Sequence, residues 1–137
     1  MILKLRAWLP KSKIMIHQVE KDNGLQEIIK DNNNNNEEYI LMQATGVKDR
    51  HENSVFSGDY ILYDSGFLRN FLAVTETPLG FCFCSWNKDK KIWKHSTYTG
   101  INVYGQIVGN IYEGIKSKRI YKEMKEIGIF KEEEWIS

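Results

Sequence analysis

No apolar run in this chain is long, and nearly every one stops within a few residues at glycine, asparagine, aspartate or proline. That rhythm constrains the fold more than any other feature. A strand needs only a handful of β-branched and aromatic residues, whereas a core helix needs several turns of unbroken helical periodicity. Tyr39 to Met42, Val55-Phe56, Tyr60 to Tyr63, Phe67 to Glu76, Phe81 to Trp86 and Ile92-Trp93 read as strands. Thr45-Gly46, Ser57-Gly58-Asp59, Thr77 to Gly80 and Asn87 to Lys91 read as the breaks between them. Short strands at this spacing predict a mainly β protein, a small Src-homology-type (SH3-like) barrel or a strongly bent antiparallel sheet.

The ends of the chain extend this pattern. Ile2 to Trp8 alternates, with Leu3, Leu5 and Ala7 on one face and Lys4 and Arg6 on the other, and Pro10 to Lys13 turns it into a second strand over Ile14 to Val19. Asp22-Asn23-Gly24 breaks that hairpin. Leu25 to Lys30 fits either a short strand or a helical turn, and Asn32 to Asn36 predicts a polar surface loop. Ile101 to Val108 alternates Ile101, Val103, Gly105 and Ile107 on one face and reads as a strand. Lys116 to Ile127 holds neither proline nor glycine and repeats Ile120, Met124 and Ile127 at helical spacing, so a helix is expected there with Gly128 as its stop. The expected organisation is one domain over 1–137: an N-terminal β extension with the Asn-rich loop (1–38), a barrel core (39–115), and a C-terminal helix and tail (116–137). Trp135 in that tail is placed either to pack back on its own domain or to dock on a neighbouring subunit.

Composition enters where partners are concerned. A net charge of +1 gives the molecule no strong overall field, so any polyanion must be met by a local patch. Two such patches exist: Lys88, Lys90 and Lys91 in a turn flanked by Trp86 and Trp93, and Lys116, Lys118, Arg119, Lys122 and Lys125 along the helix, diluted by Glu113, Glu123 and Glu126. Cations with aromatic rings nearby suit single-stranded nucleic acid, although a solvated face gives the same pattern. No apolar run approaches the roughly 18 residues of a membrane span, and no apolar signal core opens the chain, so a cytoplasmic protein without membrane contact is expected.

Sites for chemistry are sparse. Asp49, His51 and Glu52 form the densest acid and base cluster, on a loop, where catalysis would further require an oriented base and a polar partner. His17, His51, His95, Cys82 and Cys84 lack paired metal-ligand spacing and bind a metal only if the fold gathers them. Cys82 and Cys84 share one strand face, and their extended spacing disfavours a bond between them, so they are read as reduced thiols. No cofactor is expected.

Three islands carry a family likeness. The central one is Met42, Gln43, Thr45, Gly46, Lys48, Asp49, Gly58 and Asp59; the first is LKLRAW, Leu3 to Trp8, followed by Met15; the last is IVGNIYE, Ile107 to Glu113, with Gly109, Asn110 and Tyr112. In this order they resemble the YopX family of phage and prophage proteins. The family pattern carries Asn-Gly where this chain has His51-Glu52, so Asn53 is expected to supply the positive φ of that loop. The resemblance implies a small barrel with an N-terminal β extension and assigns the island residues structural roles. The function expected is a non-catalytic accessory protein that binds a phage or host protein or assembles as a homo-oligomer. The alternatives are a nucleic-acid-binding regulator using Lys88, Lys90, Lys91, Lys118, Arg119 and Lys122, and an enzyme using Asp49, His51 or Glu52.

Overall fold

In the computed structural model, which describes residues 4–20, 38–96 and 98–130, the short apolar runs pair as antiparallel strands. β1 (Leu5–Leu9), β2 (Ile14–His17), β3 (Ile40–Lys48) and β4 (Ser54–Phe56) make a four-stranded sheet in the order β2-β1-β3-β4. β5 (Asp59–Asp64), β6 (Arg69–Thr77), β7 (Gly80–Asn87), β8 (Ile92–His95), β9 (Gly105–Asn110) and β10 (Gly114–Ile115) make a six-stranded sheet in the order β10-β9-β5-β6-β7-β8. Two helices, α1 (Ile101–Tyr104) and α2 (Lys118–Glu126), complete the described residues. The fold is mainly β, in two antiparallel sheets with a short C-terminal helix. Among the described residues, the six-stranded sheet ends in two open edges, β10 and β8.

The alternation of β5 and β6 builds a core on each face of this sheet. Ile61, Tyr63, Leu72 and Val74 pack with Val55 and Ile101 on one side, and Leu62 and Phe71 meet Ile115, Ile120 and Met124 on the other. Each such side chain contributes about 1.5–3 kcal/mol by leaving water. α2 supplies the second core because Ile120 and Met124 lie one turn apart on its inner face. The Ser117 hydroxyl accepts from the Ile120 amide at its start, and the Ile127 carbonyl at its end accepts from Trp86 Nε1 at 2.8 Å and Lys91 Nζ at 3.1 Å. Gly128, at φ +89°, then turns the chain away, as expected of it.

Three expectations need correction. Ile101 to Val108 is not one strand: Gly100 sits at φ +73° and its carbonyl accepts the Val103 and Tyr104 amides, so the chain winds through α1 before β9 begins at Gly105. β3 does not end at Thr45-Gly46 but continues to Lys48 through an irregularity in register, with Gly46 at φ +87°. Glu52 itself, not Asn53, takes the positive φ, at +66°. The alternation of β1 holds, and Arg6, on the face opposite Ala7 and Leu9, is buried as they are. Leu25 to Lys30, the Asn32 to Asn36 loop and the tail from Lys131 to Ser137 lie outside the described residues.

A candidate binding groove over a buried ion pair

The three islands, far apart in sequence, converge on one place. β1 carries Arg6 to the start of β5, where Asp59 pairs in register with Asn110 at the end of β9. Arg6 Nη2 donates to Asp59 Oδ1 at 2.6 Å and to the Ser57 carbonyl at 3.3 Å. Its Nε faces the Met42 sulfur at 3.4 Å, and the guanidinium lies 4.7 Å from the centre of the Phe56 ring. Asp59 Oδ2 accepts the Phe56 amide at 2.8 Å. Only 6% of Arg6 and 1% of Asp59 remain exposed, so the pair persists because nearly every polar atom has a partner. Burial pushes the Asp59 carboxyl above the ordinary carboxylate range; the Arg6 guanidinium and the Phe56 amide oppose that without cancelling it.

The neighbouring island residues lock this junction. Gly58, at φ +90°, offers its carbonyl to the Ile111 amide at 2.9 Å, and Trp8 stacks on Tyr112 with ring centres 5.9 Å apart. Asn110 Oδ1 accepts the Tyr112 and Glu113 amides, while its Nδ2 donates to Glu113 Oε1. A side chain on Gly109 would collide with the Gly114 carbonyl. Thr45 Oγ1 donates to the Val55 carbonyl and accepts the Val47 amide across the Gly46 irregularity, and the Gln43 carbonyl accepts the Ser57 amide.

The acid-rich loop beside the junction spends its carboxylate on the backbone. Asp49, 2% exposed, accepts the His51 and Asn53 amides on Oδ1 and the Ile107 amide on Oδ2. His51 Nε2 accepts from Arg50 Nε at 3.2 Å. Asp49 thus ties the loop to β9, and its oxygens face donors that hold the anion in place.

Three adjoining cavities of about 700, 430 and 400 Å³ run past the junction. The first two share Arg6, Asp59 and Ile107 as a common wall; the second and third share Leu62, Gln106 and Arg119. Together they form a groove along β9, from Lys4 and His17 at one end, past Lys116 and Arg119, to Arg50 and Arg69 at the other. Arg50 Nη2 donates to Gln106 Oε1 at 2.9 Å. Arg69 bridges Asp64 at 3.1 Å and Glu123 at 2.7 Å, and the Gly66 amide, with Arg69, holds the exposed Asp64 carboxyl below its ordinary range. Among the described residues Arg50, Lys116 and Arg119 form no ion pair.

Of the basic residues singled out from sequence, Lys116 and Arg119 line this groove. Lys91 is committed to the end of α2, and the turn holding Lys88 and Lys90 lies with it, while Lys118, Arg119 and Lys122 belong to the first turns of the helix. Trp86 is 7% exposed and packs edge-on against Trp93 at 5.0 Å, so its ring is core rather than a stacking platform. His95 reaches Cys82, but His17 and His51 are elsewhere, and among the described residues no cluster of three or more His, Cys, Asp or Glu is arranged to hold a metal ion. Sequence reading did not single out Arg50 and Arg69, whose roles rest on partners distant in the chain. No described helix is long and apolar enough to cross a membrane.

A family model described as YopX protein matches residues 4–117. The crystal structure of protein EF1440 from Enterococcus faecalis is similar in fold, with a TM-score of 0.53 at 18% identity over 82% of this chain and 95% of that one. No curated protein matches the chain significantly.

Proposed function

We propose, from the premise that this chain belongs to the YopX protein family, that it is a non-catalytic binding module whose contact surface is the groove along β9. The observation that carries this reading is the row of cations that form no ion pair among the described residues, Arg50, Lys116 and Arg119, along adjoining cavities that share the hydrogen-bonded Arg6 to Asp59 junction. Arg119 is held on α2 and Arg50 on the loop that Asp49 ties to β9, and guanidinium groups fixed in this way suit a partner that presents carboxylates in fixed positions. The partner class is therefore a phage or host protein with an acidic segment, met in the cytoplasm of a host cell that carries a phage or prophage. Self-assembly into a homo-oligomer is the related form of the same reading, and the open edges of the six-stranded sheet support it. The finer fold assignment, an SH3-like barrel, is supported by the return of β9 to pair with β5, the first strand of the β5 to β8 meander.

A second reading, contact with nucleic acid, has one observation in its favour: Arg119 stands in the groove with Arg50 and Arg69, and phosphates suit the same guanidinium fork. One experiment separates these. Tagged protein and an Arg50→Gln, Arg119→Gln variant are used to capture partners from phage-bearing cells, each with and without nuclease. A protein partner that survives nuclease and is lost with the variant is expected, each arginine contributing about 1.5 kcal/mol or more, roughly tenfold in affinity. Loss of the captured material with nuclease moves the assignment to nucleic acid. Capture unchanged by the substitutions rejects the groove.

A further inference from the structure

Cys82 and Cys84 lie at the solvent end of the sheet face that α2 covers, beyond Trp86 and Trp93. Alternation along β7 puts both on one side of the strand, and the pairing of β7 with β8 sets His95 directly opposite Cys84. The two thiols are free and half-buried. Their sulfurs nevertheless turn toward one another at 3.2 Å, and Cys82 Sγ lies 3.0 Å from His95 Nδ1. Thr75 Oγ1, on the neighbouring strand, is 4.0 Å from Cys84 Sγ.

An extended strand spaces residues two apart by about 6.6 Å, at the upper end of the Cα separation that a disulfide spans. The spacing that disfavours a permanent structural bond thus still lets one form, under strain, and strained exposed disulfides are the readily reduced ones.

We propose that Cys82 and Cys84 are a reversible dithiol site, oxidised to an intramolecular disulfide by a low-molecular-weight disulfide of the glutathione class. The Cys84 thiolate attacks one sulfur of the small disulfide, forming a mixed disulfide and releasing the first small thiolate. Cys82 then passes its proton to His95 Nδ1, which requires the imidazole tautomer with its proton on Nε2, and attacks the Cys84 sulfur. The second small thiolate leaves, and the two released thiolates take up the protons that the two cysteines gave up. Two protein thiols are oxidised and one small disulfide is reduced to two thiols. The order of attack follows the contacts: His95 serves Cys82, and desolvation, with the Cys84 neighbour, keeps the Cys82 thiol protonated in the resting state.

The test uses the full chain equilibrated with mixtures of reduced and oxidised glutathione, quenched by alkylation and read by intact mass. The expected result is the loss of both alkylation sites together, with no retained glutathione, and full recovery on adding reduced glutathione. Cys82→Ser traps one glutathione on Cys84. His95→Ala slows closure of the second bond on the order of tenfold or more without preventing the first adduct. Folding of each variant is checked by circular dichroism, and Cys84→Ser, which cannot close the ring, serves as a second control. Two independent glutathione adducts on the unsubstituted protein, or thiols that react only once it is unfolded, would overturn the proposal. So would a Cys82→Ser protein with no adduct on Cys84.

Discussion

At the scale of single residues, Asp59 carries an opposition that a pH series reads directly. Burial raises its folded-state pKa above the ordinary carboxylate value, so between those two values the native protein binds more protons than the unfolded chain. Stability from this group therefore falls as pH rises through that window and is constant above it. Asp59→Asn removes the titration. Urea midpoints measured across the acid range should show wild type losing stability relative to the variant as pH rises; a difference that stays flat or moves the other way would refute the assignment. How much of this was legible in the sequence differs residue by residue. The turn at Ser57-Gly58-Asp59 followed from turn chemistry alone. The burial of Arg6 did not, because alternation counts it polar and its partner is 53 residues away. Glu52 at φ +66° was likewise hidden, since the fit depends on Asp49 holding both flanking amides from below.

Among elements, the strands were readable where turns punctuate them and unreadable where two periodicities coincide. Ile101, Val103, Gly105 and Ile107 alternate as a strand would, yet only Gly105 onward pairs with β5. The decisive fact is the left-handed Gly100, which starts a helical turn, and a Gly105 side chain would crowd Ile61 and Ile101. The helix was visible because its apolar positions recur on one face and its stop is a glycine. Its stability should come from that face more than from its cap. Ser117→Ala is expected to cost about 1 kcal/mol. Met124→Ala, which empties a fully buried position against Phe71 and Leu62, is expected to cost about 2–5 kcal/mol. Urea unfolding of the two variants decides the order, and a larger loss from the serine would mean the helix is held by its end.

For the molecule as a whole, the Arg6 to Asp59 pair joins the four-stranded sheet to the six-stranded one. Removing one partner strands a charge in the interior, so Arg6→Met should cost about 3–5 kcal/mol. Because the pair spans both sheets, the slowest-exchanging amides of β1 and of β6 should lose protection together in native-state hydrogen exchange. Protection lost in β1 alone would mean that the sheets open separately. The candidate site was half legible at this scale: the islands were recognised, but their meeting point depends on long-range pairing that no local pattern encodes. That pairing also has a consequence during synthesis. β5 leaves the ribosome well before β9, with the strands β6 to β8 and α1 between them. At about 5–20 residues per second, the nascent chain waits roughly two to eight seconds with one side of its central strand uncovered. Over that interval the chain depends on dilution and chaperones to keep the exposed strand from pairing with another copy of itself.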